Sequence, residues 1–179
     1  MEGGLKMIFS ENEILKPFVE EINKYEDSVH SLNPGVDSYH IEQVEKELNI
    51  IFPKIYNVFL NACNGGELFI PGTVLSEIYY PALGQKKRGN SYINESFRKD
   101  RRRPGMTDNL LIIADLNYGD SICFDLITNN GQDAEVVQWD NESKSVSRTW
   151  SGFIEWIMDA LEEGSMLVDY EGNEKEFDF

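Results

Sequence analysis

The hydrophobic spacing is helical at both ends of the chain and strand-like between them. Ile14, Leu15, Phe18, Val19 and Ile22 form one apolar stripe, so Ser10–Tyr25 reads as a helix. Ser10 and Glu13 have capping-box spacing, and Pro17 calls for a kink or a later start. Asp27–Asp37, with Asn33-Pro34-Gly35, reads as a loop. Ile41, Val44, Glu45 and Leu48 then share a helix face, with Asp37 and Ser38 ahead as N-caps. That helix must stop near Asn49, because Pro53 disfavours helical geometry at Phe52. Pro53 suits the first turn of the next helix, whose buried face is Tyr56, Phe59 and Leu60. Asn64-Gly65-Gly66 is expected to end it.

Beyond Gly66 the period shortens. Glu67–Ile70 and Val74–Tyr80 read as strands about Pro71-Gly72. Leu110–Ala114 is an apolar run suited to a central strand. Ser121–Leu126 alternates, with Ile122, Phe124 and Leu126 on one face. Asn129-Asn130-Gly131 signals a hairpin, Glu135–Trp139 the return strand, and Val146–Thr149 a last short strand. A closing helix is expected from a cap at Ser151 to Gly164, with Phe153, Ile154, Trp156, Ile157, Ala160 and Leu161 buried. The pattern predicts an α+β fold: N-terminal helices, a central, mainly antiparallel β-meander sheet, and a C-terminal helix packed on the sheet. The 179 residues suit a single domain, 1–179, with an acidic tail at 165–179 that either docks or floats.

Charge changes this picture most. Asp and Glu number 32 against 16 Lys and Arg, a net charge of −16. Such a field repels nucleic acid and steers basic partners inward, although acidity also serves solubility alone. Eight of the 16 basic residues lie within Lys86–Arg103. Ser91–Arg102 there reads as a helix, with Ile93 and Phe97 on the core side. We read the segment as a solvated connection that pairs with the chain's own carboxylates, ahead of partner contact or nucleic-acid contact. Cys63 and Cys123 make no disulfide framework and are expected as reduced core thiols of a cytoplasmic protein. Met1–Phe9 does not read as a secretory leader, and no apolar run approaches the roughly 20 residues of a membrane span.

Catalytic signatures are missing. The sequence holds no GxSxG, P-loop, HExxH, CxxC or GxGxxG pattern. His30 and His40 lack a Cys or second His at ligand spacing and read as surface histidines. Asp115, Asp120, Asp125 and Asp140 fall at predicted strand ends, where aspartates commonly satisfy turn N–H groups. No catalytic residue, metal site or cofactor is assigned, although abundant carboxylates leave a paired-carboxylate hydrolase as a third, weaker class.

Glu45, Leu48, Phe52-Pro53, Tyr56, Phe59-Leu60 and Asn64-Gly65-Gly66 resemble the N-terminal signature of the SUKH superfamily. Leu111–Ala114, Tyr118–Asp125, Val136–Asp140 and a helix around Trp150–Trp156 continue the resemblance, which runs from about Ser38 to Leu161. The superfamily includes bacterial immunity proteins and a yeast cell-wall assembly regulator. The resemblance implies a non-catalytic immunity protein that binds a cognate protein toxin, commonly a nuclease, and covers its basic surface. The alternative is a regulatory scaffold, against which the lack of long disordered flanks counts. Aromatic groups amid carboxylates at strand ends are the expected contacts: Glu67, Tyr79, Tyr80, Tyr118, Asp120, Asp140 and Glu142. Nothing in the sequence sets the oligomeric state.

Overall fold

A computed structural model describes residues 13–78, 92–98 and 102–176. Helix α1, Lys16–Ile22, starts late and carries Pro17 in its first turn, where the missing N–H leaves no bond unmade. Ser10, its expected capping residue, lies outside the described residues. Helix α2, Ser38–Leu48, opens on Asp37, whose carboxylate accepts from His40 N, and closes on Asn49 in the left-handed region. Helix α3, Lys54–Ala62, follows directly on Pro53. One hydrogen bond fixes the corner between the two. Glu45 Oε1 accepts from Phe52 N at 2.7 Å, which explains a carboxylate on an otherwise apolar helix face.

Seven strands form one antiparallel meander in sequence order: β1 Ser31–Pro34, β2 Cys63–Leu68, β3 Thr73–Leu75, β4 Leu110–Asp115, β5 Ser121–Asp125, β6 Val136–Asp140 and β7 Ser145–Trp150. A single helical turn, α4 Ile93–Ser96, precedes β4, and helix α5, Phe153–Leu167, packs over the sheet. The apolar run Leu110–Ala114 is indeed the middle strand.

Several sequence expectations need correction. The segment read as a loop contains strand β1; Pro34 is tolerated because the strand lies at the sheet edge. Asn64-Gly65-Gly66 is not a turn but part of β2. Gly66, at φ 133°, lies so close to β1 that a Cβ would sit 2.2 Å from Ser31 O. Asn64 is buried and clamps the chain after β3, accepting from Ile78 N at 2.8 Å and donating to Ile78 O at 3.1 Å. Strand β3 ends at Leu75 rather than running to Tyr80. Leu126 belongs to a 3-10 turn, Leu126–Thr128, so the β5–β6 connection is longer than a two-residue hairpin. Of the helix expected over 91–102, the described residues form the single turn α4 and leave it at Phe97. Gly164 does not end α5; it lies against the Phe69 ring, where a Cβ would be 2.2 Å from a ring carbon. Nor does the Ser151 side chain cap α5. Gly152 stands at the N-cap, and Asp133 accepts from Phe153 N at 3.2 Å.

The main core lies between the helices and one sheet face. Phe18, Tyr56, Phe59, Phe124, Phe153 and Trp156 are all at most 2 % exposed. The second face carries a smaller cluster of Met106, Leu110, Ile112, Cys123, Val137 and Trp139. Over that face Arg103 pairs with Asp115 at 2.5 Å. Arg102 donates to the carbonyls of Thr107 and Asp108. These two cations thus pair with the protein's own groups; Lys86, Lys87, Arg88, Lys99 and Arg101 lie outside the described residues. Both cysteines are free and buried, and burial pushes the Cys63 thiol up to about 12. The tail docks through Tyr170: Tyr170 O accepts from Glu26 N at 2.9 Å, and the Tyr25 and Tyr170 rings meet at 5.1 Å.

His30 is not on the surface. It packs against Tyr25 and Phe69 and accepts from Phe69 N through Nδ1 at 3.2 Å. Burial pulls its pKa from 6.5 to about 4. The unfolded chain therefore takes up a proton below pH 6.5 that native His30 refuses until about pH 4, so stability falls as pH drops through that window. Allowing for residual solvent contact, the loss is about 2 kcal/mol. Urea midpoints across pH 4–6.5 should show it, and His30→Gln should flatten it; an equal slope in the variant contradicts the assignment. The buried Tyr56 hydroxyl finds no hydrogen-bond partner among the described residues. Tyr56→Phe should raise unfolding stability by about 1 kcal/mol in the same assay, whereas a loss would mean that the hydroxyl is satisfied.

Candidate protein-binding surface

Antiparallel pairing places the β2–β3, β4–β5 and β6–β7 turns at one end of the sheet. The register also sorts side chains between faces. Ala114, Ile122, Gln138 and Arg148 form a cross-strand row on the helix-bearing face. Glu67, Val74, Asp115, Ser121, Trp139 and Val146 form the adjacent row on the other face.

Four of the expected residues come together at the turn end. Gln138 links two of them: its Nε2 donates to Asp120 Oδ2 at 2.8 Å and to Tyr118 Oη at 3.3 Å. Asp120 Oδ1 also accepts from Asn141 N at 3.2 Å, and the Asn141 side chain donates to Gly119 O, joining the two hairpin turns. Asp140 accepts from Glu142 N at 2.7 Å and Ser143 N at 3.0 Å. These amides, Ser143 first, hold its carboxyl below the usual range. Tyr118 is 68 % exposed, and Glu142 projects into solvent. Partial burial, then the neighbouring Asp120 charge, pushes the Tyr118 phenol up.

The remaining three are not part of this group. Glu67 lies in the row on the opposite face and is half-buried, accepting from Gly72 N at 3.1 Å, so it shapes the β2–β3 turn. Tyr79 and Tyr80 lie outside the described residues.

Beside Tyr118 runs a groove of about 580 Å³ between the turns, α5 and the tail. Trp150 and Trp156 are among the buried groups lining it, and Ile70, Tyr118 and Leu167 are exposed along it. Arg148 lies across Trp150 at 4.7 Å and reaches Asp159 at 2.7 Å and Glu163 at 2.6 Å. The sequence reading missed Gln138, Arg148 and Leu167. Gln138 was legible: it is polar at a position whose alternation partner, Val136, is buried. Arg148 and Leu167 were not, because only α5 crossing the sheet brings them to the same groove.

This end of the molecule brings together an aromatic group, fixed carboxylates and exposed aliphatic carbons. Among the described residues no three His, Cys, Asp or Glu side chains gather to hold a metal ion. Among them, too, no helix is long and apolar enough to cross a membrane.

The SUKH_6 family, described as SMI1-KNR4 cell-wall, matches residues 39–157. The chain belongs to this family. The matched span holds the α2–α3 corner, the Asn64 clamp, the whole β2–β7 meander and the start of α5. No curated protein matches the chain. Within the SUKH frame, Glu45, Asn64 and Gly66 serve the scaffold, while Tyr118, Asp120, Asp140 and Glu142 decorate one end of it.

Removing the Asp120 carboxylate takes the acceptor from Asn141 N and leaves Gln138 Nε2 only the longer bond to Tyr118. Asp120→Ala should cost about 1 kcal/mol of unfolding free energy by urea titration. Glu142→Ala, at an exposed position without a cross-turn role for its side chain, should change stability by less than about 0.5 kcal/mol. Equal losses would contradict the division between turn-fixing and outward-facing carboxylates.

Proposed function

We propose that the chain is a non-catalytic immunity protein. It binds a cognate protein toxin through the turn end of the sheet and blocks it by occlusion. The observation that carries this reading is the meeting of Tyr118, Asp120, Asp140 and Glu142 at one end of a chain of net charge −16, beside a groove rimmed by exposed aliphatic groups. Family membership is consistent with it.

A nuclease is the toxin class that this chemistry favours. Its substrate cleft is basic, so an acidic surface accelerates encounter and then covers the cleft. Tyr118 is the natural anchor, with a large apolar body and a polar tip held by Gln138. The exposed Glu142 carboxylate serves attraction at distance more than affinity at contact. The compartment expected for such a partnership is the cytoplasm of the producing cell.

The words "cell-wall" in the family description favour a second reading, a regulatory scaffold that assembles with other proteins. The two differ in outcome. An immunity protein forms a stoichiometric complex with the toxin encoded beside its own gene and abolishes that toxin's activity; a scaffold does neither.

Co-purification with that neighbouring toxin, together with an activity assay, tests the proposal. Tyr118→Ala should weaken binding at least tenfold. Glu142→Lys should slow association severalfold at low salt and much less at high salt. Failure of the unaltered chain to bind and inhibit the toxin would overturn the reading.

A further inference from the structure

The groove beside Tyr118 has a chemistry that selects what enters it. Buried Trp150 and Trp156 line it, while Ile70, Tyr118 and Leu167 along it are 47 %, 68 % and 59 % exposed. Its β2–β3 side stands on fixed backbone. Phe69 holds φ 52°, in the left-handed region that large side chains seldom adopt. Its ring packs against Tyr25, His30 and the bare Cα of Gly164. Ile70 N donates to Val29 O at 3.0 Å. Backbone strain of this kind persists where the surrounding structure imposes it. Here it holds Ile70 out beside α5, so an apolar side chain is presented to the groove at little further cost in conformational freedom.

The charge around the groove is one-sided. The segments that contribute to its walls, residues 68–73, 116–120, 138–150 and 153–176, hold eleven Asp and Glu against Lys144, Arg148 and Lys175, a net −8. Half of the chain's −16 thus comes from about a quarter of its residues. Of the three cations, Lys175 donates its Nζ to Ser165 O at 2.6 Å, at the end of α5. Arg148 shows what the groove edge holds well: its guanidinium lies over Trp150 and meets both Asp159 and Glu163. Carboxylates beside an indole and exposed aliphatic carbons suit a ligand that is cationic and apolar together. A second copy of this chain brings the same −8 and is repelled, as is nucleic acid.

We infer that the groove receives a short basic, apolar segment of the protein partner. An aliphatic or aromatic side chain of that segment sits between Ile70, Tyr118 and Leu167, and flanking Arg or Lys residues meet Glu163 and Glu174. The inference rests on the immunity reading only for the partner's identity as a toxin. It adds that recognition runs along the groove, beyond the Tyr118 turn itself.

Calorimetric titration of the full chain with a short synthetic peptide of alternating arginine and leucine tests the groove without the toxin. One peptide should bind per chain, and the same peptide with glutamate in place of arginine should not bind. The pair Leu167→Ser/Glu174→Gln should weaken binding at least tenfold. The pair Ile51→Ser/Glu47→Gln removes one exposed aliphatic group and one carboxylate at the opposite end of the sheet, and should change affinity less than about twofold. Should Leu167→Ser loosen the end of α5, seen as a lower melting temperature, Ile70→Ser takes its place with the same loss expected. Absence of peptide binding, or equal losses from the two pairs, would overturn the inference. So would self-association of the unaltered chain that the groove pair abolishes, which would put a second copy there instead. With the neighbouring toxin, equal binding by the groove pair and the unaltered chain would overturn the groove's role and leave the immunity reading standing. Peptide binding that follows the groove pair, in a chain that does not bind the toxin, would uphold the groove and remove that reading.

Discussion

Phe59 and Phe153 meet with ring centroids 4.9 Å apart, and Tyr56 lies 5.2 Å from Phe124. These four rings join α3, α5 and β5. Phe18 of α1 reaches the same cluster through Phe59 at 5.8 Å, and Trp156 through Phe153 at 5.5 Å. Aromatic groups bury large areas and pack with preferred angles, so the cluster fixes orientation as well as proximity. The position of α5 over the sheet follows from it, and with α5 come Asp159, Glu163 and Leu167. The groove beside Tyr118 therefore depends on packing well away from its own rim.

Much of this frame was legible because its signals are local. Asp37 at a helix start, Asn49 at a helix end and Pro53 at the next start each act within one turn of backbone. The apolar run of β4 and the alternation of β5 announce their burial in the same way. What escaped reading acts across long sequence separation. Asn64 looks like turn punctuation until Ile78 is placed beside it. Gly164 looks like a helix stop until the Phe69 ring occupies the space of its missing side chain. Pro34 reads as a breaker unless the strand is known to be an edge. His30 reads as a surface group because nothing nearby in sequence foretells that Tyr25 and Phe69 will enclose it.

The candidate site divides along the same line. Tyr118, Asp120, Asp140 and Glu142 follow from the hairpin pattern, since turns of one meander alternate between its two ends. Glu67 also falls at the turn end, yet strand parity sends it to the opposite face. Parity could not be counted through Asn64-Gly65-Gly66 while that stretch was read as a turn. Among the residues at the turn end, Asp120 and Asp140 spend their carboxylates on turn amides, while Tyr118 and Glu142 remain presented outward. A rigid acidic frame with a small outward set is well suited to changing partners by surface substitution, because the frame's own hydrogen bonds are not disturbed.

The central claim is that the turn end of the sheet meets a macromolecular partner. Amide hydrogen exchange of the chain, alone and in complex with the proposed protein partner, tests it most directly. The account predicts slowed exchange in residues 116–120 and 140–144 on binding, with residues 49–54 and 126–131 at the far end unchanged at a fixed oligomeric state. Protection confined to the far end, or to the helices, would contradict it.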